Sequence, residues 1–450
     1  SEEPWMKWSE EWLDNAKIRL SAGSMGNGNV SPYSYTSEMT VSTADDIVLG
    51  GSYPSYTSVG STVPVSLTWE KSTTYDVGLD LDFFNNRLSV SGDYYRRYTT
   101  DMYTASVALP AVYGTGSPKG NNAEMKTDGW ELSLSWRDSF KLGGKPFDYS
   151  IKAMVWDSKS VITKYVNDTG SLGTVKGFIE NGGSPSSYYV GMTVGEIWGY
   201  TVAGLFRDQA DIDSSAIHDF VQASDKVTRP GQVKIADLDG NGFIDPGNFA
   251  VDDHGDLRII GNQSPRYRYG VNLSARWNGI GLSVFLQGVG ARDWYPGSDA
   301  GMFWGKYGRP FFALIPSIHN YTDDMYSAER NNWDTAYWPR MTTYQSNGTK
   351  NWTRLLEIPN TRYIQSAAYL RVKNIQLDYS FPKHICSAIR LQGLKIYVNA
   401  ENLFTFTPLH KYAPNFDPEG LSYDSDFASA ADGYTYPILK SVTVGVNITF

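Results

Sequence analysis

Apolar and polar residues alternate along this chain in short, regular runs. Val442, Val444, Val446, Ile448 and Phe450 fall on one face of a strand, and Ser441, Thr443, Gly445, Asn447 and Thr449 on the other. Period-two alternation is the mark of a strand with one apolar face. A run of about ten such residues also matches one tilted crossing of an outer membrane, with the apolar face to lipid and the polar face to the lumen. The pattern recurs in ten segments. Ala16 to Ala22 forms the first, Trp69 with Tyr75 to Phe83 the second, and Leu88 to Tyr94 the third. Trp130 to Trp136, Tyr149 to Val155, Tyr269 to Trp277 and Ile280 to Leu286 follow, then Leu370–Tyr379, Leu394 to Ala400 and the final run. In Leu370–Tyr379 the phase slips between Val372 and Ile375, as a β-bulge requires.

The connections alternate in length. Short ones follow Phe83, Arg137, Trp277 and Tyr379, while long ones span about 24–67, 99–128, 158–267, 289–368 and 402–439. Asn278-Gly279 between alternating runs is a strong hairpin signal, because both residues tolerate positive φ. Short turns at one end and long loops at the other are the asymmetry of an outer-membrane barrel, with the loops extracellular and Phe450 at the periplasmic side. The polar faces carry charge of both signs: Asp76, Asp80 and Asp82 on one strand, Arg266, Arg268 and Arg276 on another. Near the bilayer midplane each charge costs a few kcal/mol on the lipid side, so these faces belong to a polar lumen.

Composition fits. Mean hydropathy is −0.37, and no apolar run approaches the length of a transmembrane helix. Aromatics make up 14% of residues, which suits interfacial girdles and sugar-stacking surfaces alike. A net charge of −9 argues against nucleic acid as a partner. The single cysteine, Cys386, rules out internal disulfides and reads as a small buried apolar residue. The opening SEEPWMKWSEEW has no basic stretch followed by an apolar one, so the chain is expected to be mature or a fragment.

Several ordered motifs bring a family into view. Lys17-Ile18-Arg19-Leu20-Ser21-Ala22-Gly23 with Gly26-Asn27, Pro230-Gly231 before Asp237–Asp245, and Ile260-Gly261-Asn262 with Pro265, Tyr267 and Tyr269-Gly270 occur in that order. Tyr369-Leu370-Arg371-Val372-Lys373-Asn374, Asn402-Leu403-Phe404, Asp417-Pro418-Glu419 and Tyr436-Pro437 follow. In this succession the chain resembles the C-terminal part of a SusC/RagA-type TonB-dependent outer-membrane transporter. The resemblance implies an all-β, transmembrane antiparallel barrel of about twenty-two strands, with residues 1–450 supplying roughly half and lacking the plug and early strands. It also implies TonB-dependent active import of oligosaccharides, or peptides, and no enzymatic activity. The implied partners are a SusD-like surface lipoprotein, the remaining barrel and plug polypeptide, outer-membrane lipid and, through the absent N-terminal part, the TonB-ExbB-ExbD complex. A passive self-contained porin is the rival reading. A barrel-borne hydrolase using His319 with Asp323 or Asp324 as an acid–base pair is the weaker one, since the sequence offers no second matched pair and a solvated loop explains these residues. The five histidines show no metal-ligand spacing.

Two constellations carry candidate chemistry. Asp237-x-Asp239-x-Asn241-Gly242-Phe243-x-Asp245 has the spacing of a calcium loop, with side-chain oxygens at positions 1, 3, 5 and 9 and the Phe243 carbonyl at position 7. Position 12 is Asn248 where a bidentate Glu is usual, so Asp252, Asp253 or Asp256 is expected to complete a Ca2+ (or Mg2+) site that orders the loop. The alternative is a solvated acidic turn. The second is the aromatic-rich loop 289–368, in which Trp304, Tyr307, Trp333, Trp338 and Trp352 are candidates for contact with substrate or partner. Packing within a long folded loop is the bland alternative for each.

Overall fold

The computed structural model describes residues 11–28, 36, 39–60, 67–106, 110, 112, 119–174, 185–217, 228–296, 303, 324–340, 358–421 and 438–450. A single antiparallel sheet of ten strands dominates them. Its strands are β1 (Leu13–Asn27), β2 (Glu70–Phe83), β3 (Leu88–Ala105), β4 (Lys119–Leu142), β5 (Lys145–Lys164), β6 (Arg266–Trp277), β7 (Ile280–Ala291), β8 (Tyr369–Ser380), β9 (Gly393–Phe406) and β10 (Ser441–Thr449). Each pairs with its neighbours in sequence, so the sheet is an up-and-down meander with β1 and β10 at its edges.

Register shows what holds the meander together. Leu81, Val90, Leu134, Ala153, Val271, Leu286, Val372 and Phe404 stand side by side from β2 to β9. A neighbouring row runs Lys17, Asp80, Ser91, Ser133, Met154, Gly270, Gln287, Arg371 and Thr405. Because side chains alternate sides strictly, one row is apolar and faces one way while the next is mostly polar and faces the other. Large apolar side chains stand open on the first face, with Ile18 at 72%, Leu20 at 75% and Val444 at 74% exposure. A contiguous surface of this kind has to be covered, and strands of this length with ten-residue apolar crossings fit hydrocarbon.

Aromatic residues bound the apolar face at both ends. Phe83, Trp136, Phe140, Phe147, Tyr149, Trp277 and Tyr379 gather near the short turns, with the rings of Phe140 and Phe147 5.0 Å apart. Tyr94, Trp130 and Tyr269 mark the other end. The run from Trp130 to Phe140 lies within β4; at about 3.3 Å per residue and a tilt of about 40° it spans a height of about 25 Å, the thickness of an outer-membrane apolar band. On the polar face Arg19 bridges Asp80 and Asp93, each at 2.7 Å, and Ser91 donates to Asp80 at 2.6 Å. Bare glycines on the sheet are roofed by tyrosine: Tyr95 over Gly129 and Tyr397 over Gly445 leave no room for a Cβ.

The tight turns form where local chemistry asks for them. Asn278 and Gly279 take φ of 49° and 85°, and Asn85 and Asn86 take 57°. The predicted bulge in β8 is present, between Val372 and Asn374. Three expectations need correction. The β4–β5 turn is at Gly143-Gly144 rather than after Arg137, because pairing continues to Leu142 and Lys145. The long connection placed at 99–128 shrinks to 106–118, because β3 and β4 stay paired beyond the apolar band. The Arg266 side chain is drawn away from the row of Arg268 and Arg276: beside Tyr267, whose φ is 52°, it swings to Asp157 and over the Tyr267 ring.

Three of the long connections pack, in their described residues, into one head with its own core. Leu172, Trp198, Leu205, Ile235, Ile244 and Leu257 from 165–265 join Trp294, Phe303, Trp338, Ile358 and Tyr363 from 292–368 and Leu409 and Phe416 after β9. The long connection at 158–267 holds short ribbons, Glu196–Tyr200 with Leu257–Asn262 and Val202–Leu205 with Val233–Ile235. A charge on the apolar face is expected to be expensive. In the full-length protein that carries this chain, Leu134→Arg should lower stability by about 2–4 kcal/mol, while the adjacent Ser133→Arg should change it by under about 1 kcal/mol. Urea unfolding in lipid vesicles measures both; equal effects at the two positions would refute the facing assigned to this sheet.

Candidate functional site

Charged and hydrogen-bonding groups gather where the polar face meets the head. Arg371 of β8, only 3% exposed at its side chain, reaches Asp417 and Glu419, each at 2.7 Å, and its Nε donates to Thr405 Oγ1 at 2.8 Å. Lys373 lies 2.8 Å from Glu419, and the Tyr369 hydroxyl donates to the same carboxylate at 2.9 Å. Arg292 donates to the carbonyls of Leu421, at 2.5 Å, and Pro418, at 3.2 Å. The segment after β9 is thereby strapped to the barrel wall through charge-assisted bonds that fix its direction. Further along the polar face, toward the short turns, an open hollow of about 770 Å³ is lined by Arg137, Asp148, Ser274, Arg276, Asp378 and Lys395.

The acidic loop is held between core anchors. Ile235 before the loop, Ile244 within it and Leu257 after it are buried in the head core. Between them Asp237 accepts from the amides of Gly240 (2.6 Å) and Gly242 (2.9 Å), and Asn241 Oδ1 accepts from Phe243 N (2.7 Å). Gly240 and Gly242 at φ of 76° and 85° permit the close winding. Asp256, fully buried, accepts from Leu238 N at 2.6 Å and Asp245 N at 3.1 Å. One carboxylate oxygen each from Asp237, Asp239 and Asp256 lies within 4.8 Å of the others, close enough to share a cation. The amide of Gly242 holds the Asp237 carboxyl below its ordinary range. Burial raises that of Asp256, and the charges of Asp239 and Asp237 add to the rise. Burial also raises the Tyr200 phenol, with Asp256 and Asp245 contributing.

Asp252 and Asp253 lie outside this trio. The Asp253 carboxylate accepts from Asn248, and its backbone closes the turn after Gly247, so Asp256 supplies the third carboxylate. Sequence spacing left three acids open; only the fold shows that Leu257 carries its neighbour inward. Asp245 stays nearby, accepting from Asn241 Nδ2 at 3.2 Å.

The aromatic candidates fare differently. Trp338 is 1% exposed, stacked on Tyr363 at 5.8 Å and set edge-on to Phe303 at 5.1 Å, so it has no face to offer a ligand. That corrects the expectation of contact: three converging long loops need a core, and their largest flat side chains supply it. Trp333 is half-buried against the same core. Trp304, Tyr307, Trp352 and His319 lie outside the described residues. The Arg371 strap was not foreseen. Its residues stand in quoted motifs, but a contact spanning 46 residues leaves no local signal.

Removing Arg371 should leave half-buried Asp417 without its cation and Glu419 with Lys373 alone, at a cost of about 2–3 kcal/mol. In the full-length protein, Arg371→Met is expected to speed tryptic cleavage at Lys411 while the sheet keeps its heat-resistant migration on gels. Unchanged protection at Lys411 would mean the strap is not what holds this segment.

Comparison with known proteins agrees with the geometry. Residues 11–240 match the family described as TonB dependent receptor-like, beta-barrel. TonB-dependent receptor P3 of Formosa agariphila is 26% identical over 442 residues, covering 96% of this chain and 39% of that protein. TonB-dependent receptor SusC of Bacteroides thetaiotaomicron is 24% identical over 446 residues, covering 97% and 38%. The chain thus spans about two-fifths of the length of these curated relatives. The RagAB peptide importer in its closed-closed state shares the fold, with a TM-score of 0.67 over 99% of this chain and 42% of that one at 19% identity. Ten meandering strands, an apolar outer face, a polar inner face and a family match over half the sequence lead to one conclusion: the chain belongs to the TonB-dependent receptor β-barrel family.

Proposed function

We propose that this chain forms wall and extracellular head of an outer-membrane transporter that imports oligosaccharides, or short peptides, by TonB-coupled active transport. The observation that carries the proposal is the pairing of a continuous lipid-facing row with a mostly polar inner row across the same strands. Such a wall encloses a polar path, and an open sheet reaches lipid only when its edges are paired by further strands. The hollow on the inner face then receives the plug polypeptide, through which TonB-ExbB-ExbD pulls. The short turns and Phe450 face the periplasm. A SusD-like lipoprotein seats on the head, and substrate is held between the two. Relatives named as TonB-dependent receptors, and the fold likeness to a peptide importer, support this assignment over a hydrolase.

Energy coupling separates this reading from the passive porin. Cells carrying the intact gene should take up the cognate oligosaccharide or peptide, and a protonophore or loss of TonB should abolish the uptake. Uptake that persists without TonB, or steady ion conductance by the purified protein, would favour the porin.

The acidic loop is proposed to take Ca2+, with Mg2+ as the alternative, through Asp237, Asp239, Asn241, Asp245, the Phe243 carbonyl and Asp256. The ion would neutralise carboxylates that otherwise repel inside the head, and its role is to order the loop. Calcium should raise the melting temperature of the full-length protein by several degrees, and Asp256→Asn should remove most of that gain. Equal melting with calcium and with chelator would end the metal proposal.

A further inference from the structure

The apolar face of β3 to β6 does not stop at its aromatic rim. One step further toward the head, the same face carries Arg96 beyond Tyr94, and Asp128 and Lys126 beyond Trp130. Beyond Val155 it carries Asp157 and Lys159. Arg266 reaches this face through its ion pair with Asp157, its guanidinium 5.5 Å from the centre of the exposed Tyr267 ring. Arg96 lies 2.5 Å from Asp128 and Lys126 3.3 Å from it, while Lys159 stands directly opposite Asp128 in the β4–β5 register. Arg266 grips Asp157 through two nitrogens, and the Tyr94 hydroxyl donates to Asp128 at 3.2 Å.

Four cations share this ledge with two carboxylates, an excess of two positive charges in a chain whose net charge is −9. The excess centres on Asp128, a single carboxylate among Arg96, Lys126 and Lys159. The ledge looks away from the lumen, so substrate inside the barrel does not reach it. Directly below it runs the surface that faces lipid tails. Whatever amphiphile lays its chains on Val90, Leu134 and Ala153 puts its headgroup at the height of these cations. Long lysine stems lie along apolar surface and lift their ammonium groups to that level.

We infer that the ledge of Arg96, Lys126, Lys159 and Arg266 holds the phosphate of an anionic lipid in the leaflet on the head side of the membrane. Arginine and lysine donate charge-assisted bonds to phosphate oxygens, and attraction of this kind adds for each basic side chain near the surface. Tyr94 and Trp130 lie just beneath, at the depth where amphipathic rings settle. The inference rests on the reading of this face as lipid-facing, and the test reports on both.

The full-length protein, purified in detergent, would be offered equal amounts of phosphatidylglycerol and phosphatidylcholine with identical acyl chains, and bound lipid counted by native mass spectrometry. Phosphatidylglycerol should be retained preferentially. The double variant Lys126→Gln/Lys159→Gln should lose about fivefold of that preference for each lysine, with total bound lipid unchanged. Lys152→Gln, in the same strand but on the polar face, should keep it; heat-resistant migration on gels checks that each variant is folded. Equal retention of the two lipids, or undiminished selectivity in the double variant, overturns the ledge. Displacement of the lipid by inorganic phosphate reassigns it to a soluble anion and overturns the lipid assignment. Failure to retain either lipid sinks the lipid-facing reading itself.

Discussion

Inside hydrocarbon every backbone N–H and C=O must find a partner within the protein, and the rest of this structure depends on that constraint. Within the sheet the meander meets it by pairing each strand with its sequence neighbours across the apolar band, which leaves the outer edges of β1 and β10 for further strands. Pairing fixes register, and register fixes facing: a slip of one residue would turn Leu134 to the lumen and Ser133 to the lipid. Rows such as Leu81–Val90–Leu134–Ala153–Val271 are therefore more than a list of apolar residues. They are the penalty for slipping, repeated at every strand. The polar rows add a second lock, since Arg19 reaches Asp80 and Asp93 only in this alignment.

Beyond the membrane the constraint relaxes and ordinary packing takes over. The head has a conventional core of Trp, Tyr, Leu and Ile, and it is coupled to the wall by directional contacts. Arg371 and Lys373 tie down the segment around Asp417 and Glu419. Tyr200 exchanges backbone hydrogen bonds with Pro359 and Thr361, at 2.9 and 3.0 Å, which joins two long connections. Gly199 makes that approach possible: a Cβ there would lie 2.2 Å from the Pro359 carbonyl oxygen.

The wall was legible in the sequence because its determinants are local. Period-two alternation, Asn278-Gly279 and the slip near Lys373 each lie within a few residues, and each reappears in the sheet. Strand ends were less so, since polar pairing beyond the membrane leaves β3 and β4 with no apolar signal near Ala105 and Lys119. The head was largely hidden. Its long-range contacts, Arg371 with Glu419 or Trp338 with Tyr363, have no local pattern, and an aromatic side chain reads the same whether it packs or binds. The acidic loop lies between these cases: spacing named Asp237, Asp239, Asn241 and Asp245, but tertiary burial was needed to bring in Asp256.

The most direct test is cysteine scanning along β4, residue by residue from Ser133 to Trp136, in the full-length protein within outer-membrane vesicles. Native Cys386 is buried and serves as a constant background. A lipid-confined probe should label positions 134 and 136 while a charged aqueous maleimide labels 133 and 135. Uniform aqueous labelling, or the opposite alternation, would show that this sheet is not the wall of a membrane barrel.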